Sequence, residues 1–208
     1  MTRPTNAAAA GTARQDAEHG VALVVVMIVL AVVSLLGIGS SQLSMMTERA
    51  ARNDRDTQLA MQAAEAAALD ALSDIDMPPG KGARSQAFVG SNLLEFEAGC
   101  GTAGPRKGLC ARTTTGKPVW QTVDLADETR TAGFGEFTGR SFPTAAGASR
   151  GLMPATRPRY IVEAIEDAEL FRDLAKPPGL AYRITAMGFG PRPDIQAVVQ
   201  LLYRKKKD

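Results

Sequence analysis

From Val21 to Ile38 the chain reads Val-Ala-Leu-Val-Val-Val-Met-Ile-Val-Leu-Ala-Val-Val-Ser-Leu-Leu-Gly-Ile, without a charge. At 1.5 Å per residue, a helix of that length spans roughly 27 Å, close to the hydrocarbon thickness of a bilayer. A helix apolar all round needs either lipid or a large protein about it. A cleaved secretory signal has a shorter apolar core behind a basic start. Here the preceding polar stretch ends Glu18-His19-Gly20 and offsets Arg3 and Arg14 with Asp16 and Glu18. The segment therefore reads as a membrane helix.

The helical pattern does not end where the apolar run ends. No proline interrupts it before Pro78. Residues 47–58 are strongly polar, and Glu48 and Arg52 stand at the i,i+4 spacing of a favourable ion pair. Leu59, Ala63, Ala66, Leu69, Leu72 and Ile75 then recur at steps of three and four, an apolar stripe suited to packing on the chain's own sheet. Pro78-Pro79-Gly80 stops the helix. A straight helix from Val21 to Asp76 would be roughly 84 Å long. Its weak point is Gly37 and Gly39, each about 1 kcal/mol worse than alanine in a helix interior.

Sheet signals gather near the carboxy terminus. Strands are expected near 159–166, 182–187 and 195–203, the last placing Ile195, Ala197, Val199, Leu201 and Tyr203 on one face. The connections, Lys176-Pro-Pro-Gly179 and Gly188-Phe-Gly-Pro-Arg-Pro193, are turn material. Residues 139–158, rich in Gly, Pro, Ala and Ser, read as an exposed loop. The fold class is α+β: an antiparallel meander packed on the second half of the long helix.

Cys100 and Cys110 bracket Gly-Thr-Ala-Gly-Pro-Arg-Lys-Gly-Leu. In an exported protein, such a pair within loop residues reads as a disulfide, with two free thiols as the alternative. Zinc would need more ligands than two cysteines supply.

Enzyme chemistry finds little support. The only histidine is His19, so a chain shortened past Gly20 has neither the commonest general base nor the commonest metal ligand. Residues 133–139, Gly-Phe-Gly-Glu-Phe-Thr-Gly, do not match a phosphate-binding glycine pattern. Glu163, Glu166, Asp167 and Glu169 lack the spacing of a calcium loop and read as a solvated strand end. No cofactor is expected. A formal net charge of +2 gives no pull on polyanions, and the basic tail Arg204-Lys-Lys-Lys207 has no aromatics interleaved. Nucleic acid is not an expected partner, and the tail reads as a solvated end.

Three stretches carry a family resemblance: Gly20-Val-Ala-Leu-Val-Val-Val-Met-Ile-Val-Leu30, Met46-Thr-Glu-Arg-Ala50 and Leu59-Ala-Met-Gln-Ala-Ala-Glu-Ala-Ala67. Together they resemble the amino-terminal region of the PilX family, minor pilins of bacterial type IV pili. Phe134-Gly-Glu-Phe-Thr-Gly139, Pro158-Arg-Tyr-Ile-Val-Glu163 and Tyr182-Arg-Ile-Thr-Ala-Met-Gly-Phe-Gly190 resemble the family's carboxy-terminal domain. Residues 81–125 are less typical.

The resemblance implies a pilin-like fold in four parts: a leader over 1–20, the membrane half of the helix over 21–39, its amphipathic periplasmic half over 40–77, and a globular domain over 78–208. It also implies cleavage by a prepilin peptidase after Gly20 and methylation of Val21. Val25, fifth after the cut, stands where major pilins carry a glutamate. An acidic side chain at the centre of a span costs about 2.5–3.5 kcal/mol on insertion scales. In the family that cost is offset by the charged terminus of a neighbouring subunit. A subunit with valine there resembles one at or near the filament tip, where it helps prime assembly.

Expected partners are the other minor pilins and the major pilin, the inner-membrane assembly platform, a tip adhesin, and the lipid bilayer before assembly. The expected location is the bacterial inner membrane with a periplasmic domain, then the pilus tip. Two alternatives stand beside this reading: a minor pseudopilin of type II secretion, and an uncleaved single-pass protein with a periplasmic binding domain.

Overall fold

The computed structural model describes residues 12–90, 93–145, 151–167 and 179–205. Its elements are α1 (Thr12–Ile75), β1 (Leu109–Ala111), α2 (Val119–Thr122), β2 (Ala132–Gly133), β3 (Arg159–Glu166), β4 (Leu180–Phe189) and β5 (Gln196–Tyr203), with 3-10 turns at Ser85–Phe88 and Gly104–Arg106. The chain divides between Arg52 and Asn53 into two compact units.

In the first unit, α1 begins at Thr12, earlier than the expected Val21, and runs unbroken through Gly37 and Gly39. Nothing between Thr12 and Val21 is a strong helix breaker, so the polar stretch continues the same helix. The large apolar side chains from Val21 to Met46 are all exposed. This is the one helix among the described residues long and apolar enough to cross a membrane. Ser34 donates to the Leu30 carbonyl at 2.7 Å, and Ser40 and Thr47 bond back in the same way, which pairs these three hydroxyls within the helix itself. Glu48 and Arg52 make the expected pair at 2.5 Å, both solvent-exposed.

The second unit packs residues 53–75 of α1 on one face of the sheet. The order is β1-β3-β4-β5, with β2 also on β3. β3, β4 and β5 form the antiparallel meander that the sequence suggests. The sheet as a whole is mixed, because β1 lies parallel to β3 with Cys110 opposite Glu163. β4 is longer than expected at both ends, and β5 starts one residue after Ile195.

The buried side of the helix is not the expected stripe. Ala60, Ala63, Ala64, Ala67, Ala68, Ala71 and Ile75 are buried, whereas Leu59, Ala66 and Leu72 are half-buried and Leu69 is 59% exposed. The cause lies in β4. A Cβ built on Gly188 would meet the Ala60 carbonyl oxygen at 2.1 Å and the Ala64 nitrogen at 2.2 Å. Strand and helix backbones thus approach so closely that only glycine on one side and alanine on the other fit. Leucines are turned to the flanks.

Tyr160, Val162, Ala164, Tyr182, Ile184 and Ala186 fill this face, capped by Phe88 and Phe96. Phe88 meets Tyr182 edge-on with centroids 5.4 Å apart, and Phe96 stacks on Tyr182 at 6.2 Å. The opposite face is buried too. Ile161, Met187 and Phe189 pack under Val119, Leu125 and the two cysteines, with Trp120 at the margin. Residues 81–125, the least typical part of the sequence, therefore supply cover for both faces. The expected exposed loop at 139–158 is partly bound down as well. Pro154 and Pro158 are buried, Phe142 lies 5.2 Å from Phe134, and Ala155 donates to the Gly190 carbonyl at 2.8 Å.

Candidate functional site

The candidate processing point lies inside the first unit. Gly20, Val21 and Val25 all sit on the continuous helix and are exposed. A Cβ on Gly20 would meet nothing within 4 Å, and its φ is not positive. Neither packing nor backbone geometry thus requires glycine there, although glycine is about 1 kcal/mol worse than alanine in a helix.

The second unit is held to its stretch of α1 by a buried polar cluster that the sequence does not announce. Asp74 projects from the helix into the interior, where Arg84 meets it: Nε donates to Asp74 Oδ2 at 2.6 Å and a terminal nitrogen lies at 2.5 Å. Neither side chain reaches solvent. Arg84 also donates to the Lys107 carbonyl at 2.6 Å and to the Tyr160 hydroxyl at 3.2 Å, which in turn donates to Asp74. Its guanidinium lies 3.8 Å from the centre of the Phe137 ring. Burial pushes the Asp74 carboxyl up from its ordinary range despite the Arg84 charge, and burial likewise raises the Tyr160 hydroxyl.

One turn earlier, Asp70 is fully buried and accepts from the Gly135 amide at 2.7 Å and the Thr138 hydroxyl at 2.6 Å. These bonds give the Gly-rich 133–139 segment its role. Gly135 has φ +76°, and a Cβ on it would stand 1.7 Å from the Arg140 carbonyl oxygen. The segment folds tightly onto the helix at Asp70. Glu136 accepts from Lys107 at 2.7 Å and from the Gly133 amide at 2.9 Å. Although burial pushes the Glu136 carboxyl up, those two partners bring it below its usual range.

Cys100 and Cys110 are joined, and Cys110 stands on β1. The acids expected as a solvated strand end are not all solvated, since Glu163 and Asp167 are buried beside arginines. Glu163 is buried on the same sheet face as the disulfide, with Arg183 at 3.6 Å, and burial raises its carboxyl against that charge. Asp167 pairs with Arg204 at 2.5 Å, Glu166 ends β3 in solvent, and Glu169 lies outside the described residues. Among the described residues no group of acids, histidines and cysteines is arranged to hold a metal ion.

The basic tail corrects a further expectation. The last turn of α1 has no basic residue of its own. Lys205 supplies one from 130 residues away, donating to the Ile75 carbonyl at 2.7 Å, while the Tyr203 hydroxyl donates to the Asp76 carboxylate at 2.6 Å. Arg204 and Lys205 are therefore structural, not a loose solvated end; Lys206 and Lys207 lie outside the described residues. A lone Lys/Arg cluster just after a strand could have raised this possibility, but its helix-end partner is visible only in the fold.

Comparison with known families finds the PilX N-terminal domain over residues 19–68 and the type IV pilus assembly protein PilX C-terminal domain over residues 106–205. No curated protein and no solved structure matches the chain. The first match covers the apolar segment and the start of the sheet-packing helix; the second covers β1 through β5. An exposed apolar helix that continues into an alanine face on a mixed sheet is a pilin-like arrangement, and the chain belongs to the PilX family of type IV pilus assembly proteins.

Proposed function

We propose that this minor pilin primes assembly of the type IV pilus and sits at or near the filament tip. It is drawn from the inner membrane, with its sheet domain on the periplasmic side. Val25 carries the reading. A buried glutamate in a pilin is tolerated where a neighbour's terminal charge offsets it, so a subunit with valine suits a place where that neighbour is missing. Cleavage after Gly20 and methylation of Val21 belong to the same proposal, supported by a glycine that no packing contact requires. Its partners are then the other minor pilins, the major pilin, the assembly platform and a tip adhesin. Its role is structural, without catalysis or a cofactor: the buried acids Asp70, Asp74 and Glu163 all face arginines of the same domain.

Labelling the sheet domain and imaging single pili tests the placement. One label at one end of each filament is expected, with Val21 as the methylated amino terminus by mass spectrometry. Label spread evenly along the shaft would overturn the tip reading, and an intact leader would overturn the processing.

A further inference from the structure

Among the described residues, β5 is the last strand of the sheet and pairs with β4 alone. Among the described residues, no backbone group of Gln196–Tyr203 bonds to backbone beyond β4. The strand reads Gln-Ala-Val-Val-Gln-Leu-Leu-Tyr, with no charge and no proline, and all of it is in unbroken register with β4. Charges, prolines and bulges are the usual protections of a free sheet edge, and this edge has none of them. On one face Val198 and Leu202 are 49% and 65% exposed. On the other, Val199 and Leu201 continue the helix-facing core yet stay half-buried, because the sheet stops there. One more strand would satisfy the outward N–H and C=O groups and find apolar neighbours on both faces.

A second copy fits that place badly. Antiparallel β5–β5 pairing in a continuous sheet turns the copy end over end, so its residues 53–75 run opposite to the first. The two Asn53 ends, each leading back to an apolar segment, would then point in opposite directions. Parallel pairing flips the copy and sets its Gln196 and Gln200 against Val199 and Leu201. The first arrangement sends the two apolar segments apart, and the second wastes what the edge offers.

We infer that β5 accepts, by strand addition, an extended uncharged segment of a different protein, apolar on both faces. The inference rests on the strand edge and not on tip location or processing. It is tested on the full chain in its own membrane, with a photoreactive phenylalanine at position 196 and the contact peptide identified by mass spectrometry. Hydrogen exchange at residues 196–203 is followed in parallel, in the detergent-solubilised chain and in the assembled state. The expected contact is an uncharged stretch of another protein, with the outward amides slowed about tenfold or more on assembly. Val198→Lys with Leu202→Lys should cut the cross-linked product about tenfold, the effect of ~1.4 kcal/mol, while the cysteines stay resistant to alkylation. Contacts to a second copy, to lipid or to a helical segment would overturn the inference. So would equal exchange in both states of the unmodified chain, or an undiminished product in the lysine variant.

Discussion

Arg84 and Asp74 form an ion pair from which water is excluded on both sides, with the Tyr160 hydroxyl bonded to each of them. Such a pair is expensive to break by halves, since the survivor is a buried charge with no partner. Arg84→Met should therefore destabilise the domain by about 3–5 kcal/mol. Arg84→Met combined with Asp74→Leu should recover most of that loss, because both charges then leave together. Urea unfolding of the solubilised chain, followed by Trp120 fluorescence, measures the difference. Equal stability of the single and double variants would show that the pair is not the cause.

Gly188 gives a sharper steric test. The atoms its Cβ would strike belong to the helix backbone at Ala60, Ala63 and Ala64, which cannot rotate away. Gly188→Ala should lower stability by at least about 1–3 kcal/mol, the usual range for overpacking. Gly39→Ala, where a Cβ would meet nothing within 4 Å, should cost nothing and favour the helix by about 1 kcal/mol. Thermal unfolding of the two variants side by side decides the matter.

All three tyrosines resist ionisation in the folded domain. Burial raises the Tyr160 and Tyr182 hydroxyls, and the hydrogen bond to Asp76 pushes Tyr203 up to about 12. An unfolded tyrosine titrates near about 10. Between these values the folded state holds more protons than the unfolded one, so the stability contribution is complete below about pH 10 and is lost as pH rises through the folded values. Absorbance at 295 nm should stay flat through pH 10 and then rise together with the loss of circular dichroism. A tyrosine titrating freely near 10 in folded protein would contradict the Tyr203–Asp76 bond first.

What could be read in advance followed from period and composition. β3 was legible over 159–166 because β-branched residues crowd it between turns, and the membrane-length run because it holds no charge at all. The helix face was misplaced at Leu69 because hydropathy ranks leucine above alanine, whereas contact with Gly188 demands the smallest side chains. β1 is only Leu109–Ala111, too short to show any alternation, and it pairs with a strand far along the chain. Arg84, Asp74 and Asp70 look like ordinary surface charges until the fold brings their partners to them. The cysteines, by contrast, announced their bond through spacing and neighbouring glycines.

That bond supplies the fourth prediction. Chain-entropy reasoning for a loop this short gives about 2.5 kcal/mol. Removing it by Cys100→Ser with Cys110→Ser should loosen the sheet face away from the helix first, because Ile161, Met187, Val119 and Leu125 cluster around the two sulfurs. Trp120, packed at the margin of that cluster, should shift its emission to longer wavelength under conditions where Tyr160 and Tyr182 remain protected. Simultaneous loss of both signals would mean that the two faces unfold as one.

The Lys205 bond to the Ile75 carbonyl couples the oldest and newest parts of the domain in time. Ribosomes deliver α1 well before Lys205, so the helix end stays open until β5 has been made. A chain released early lacks the Tyr203 and Lys205 clasps, and its last helical turn is free to fray. The seam between helix and sheet is thereby closed only in a chain that carries β5 and Lys205.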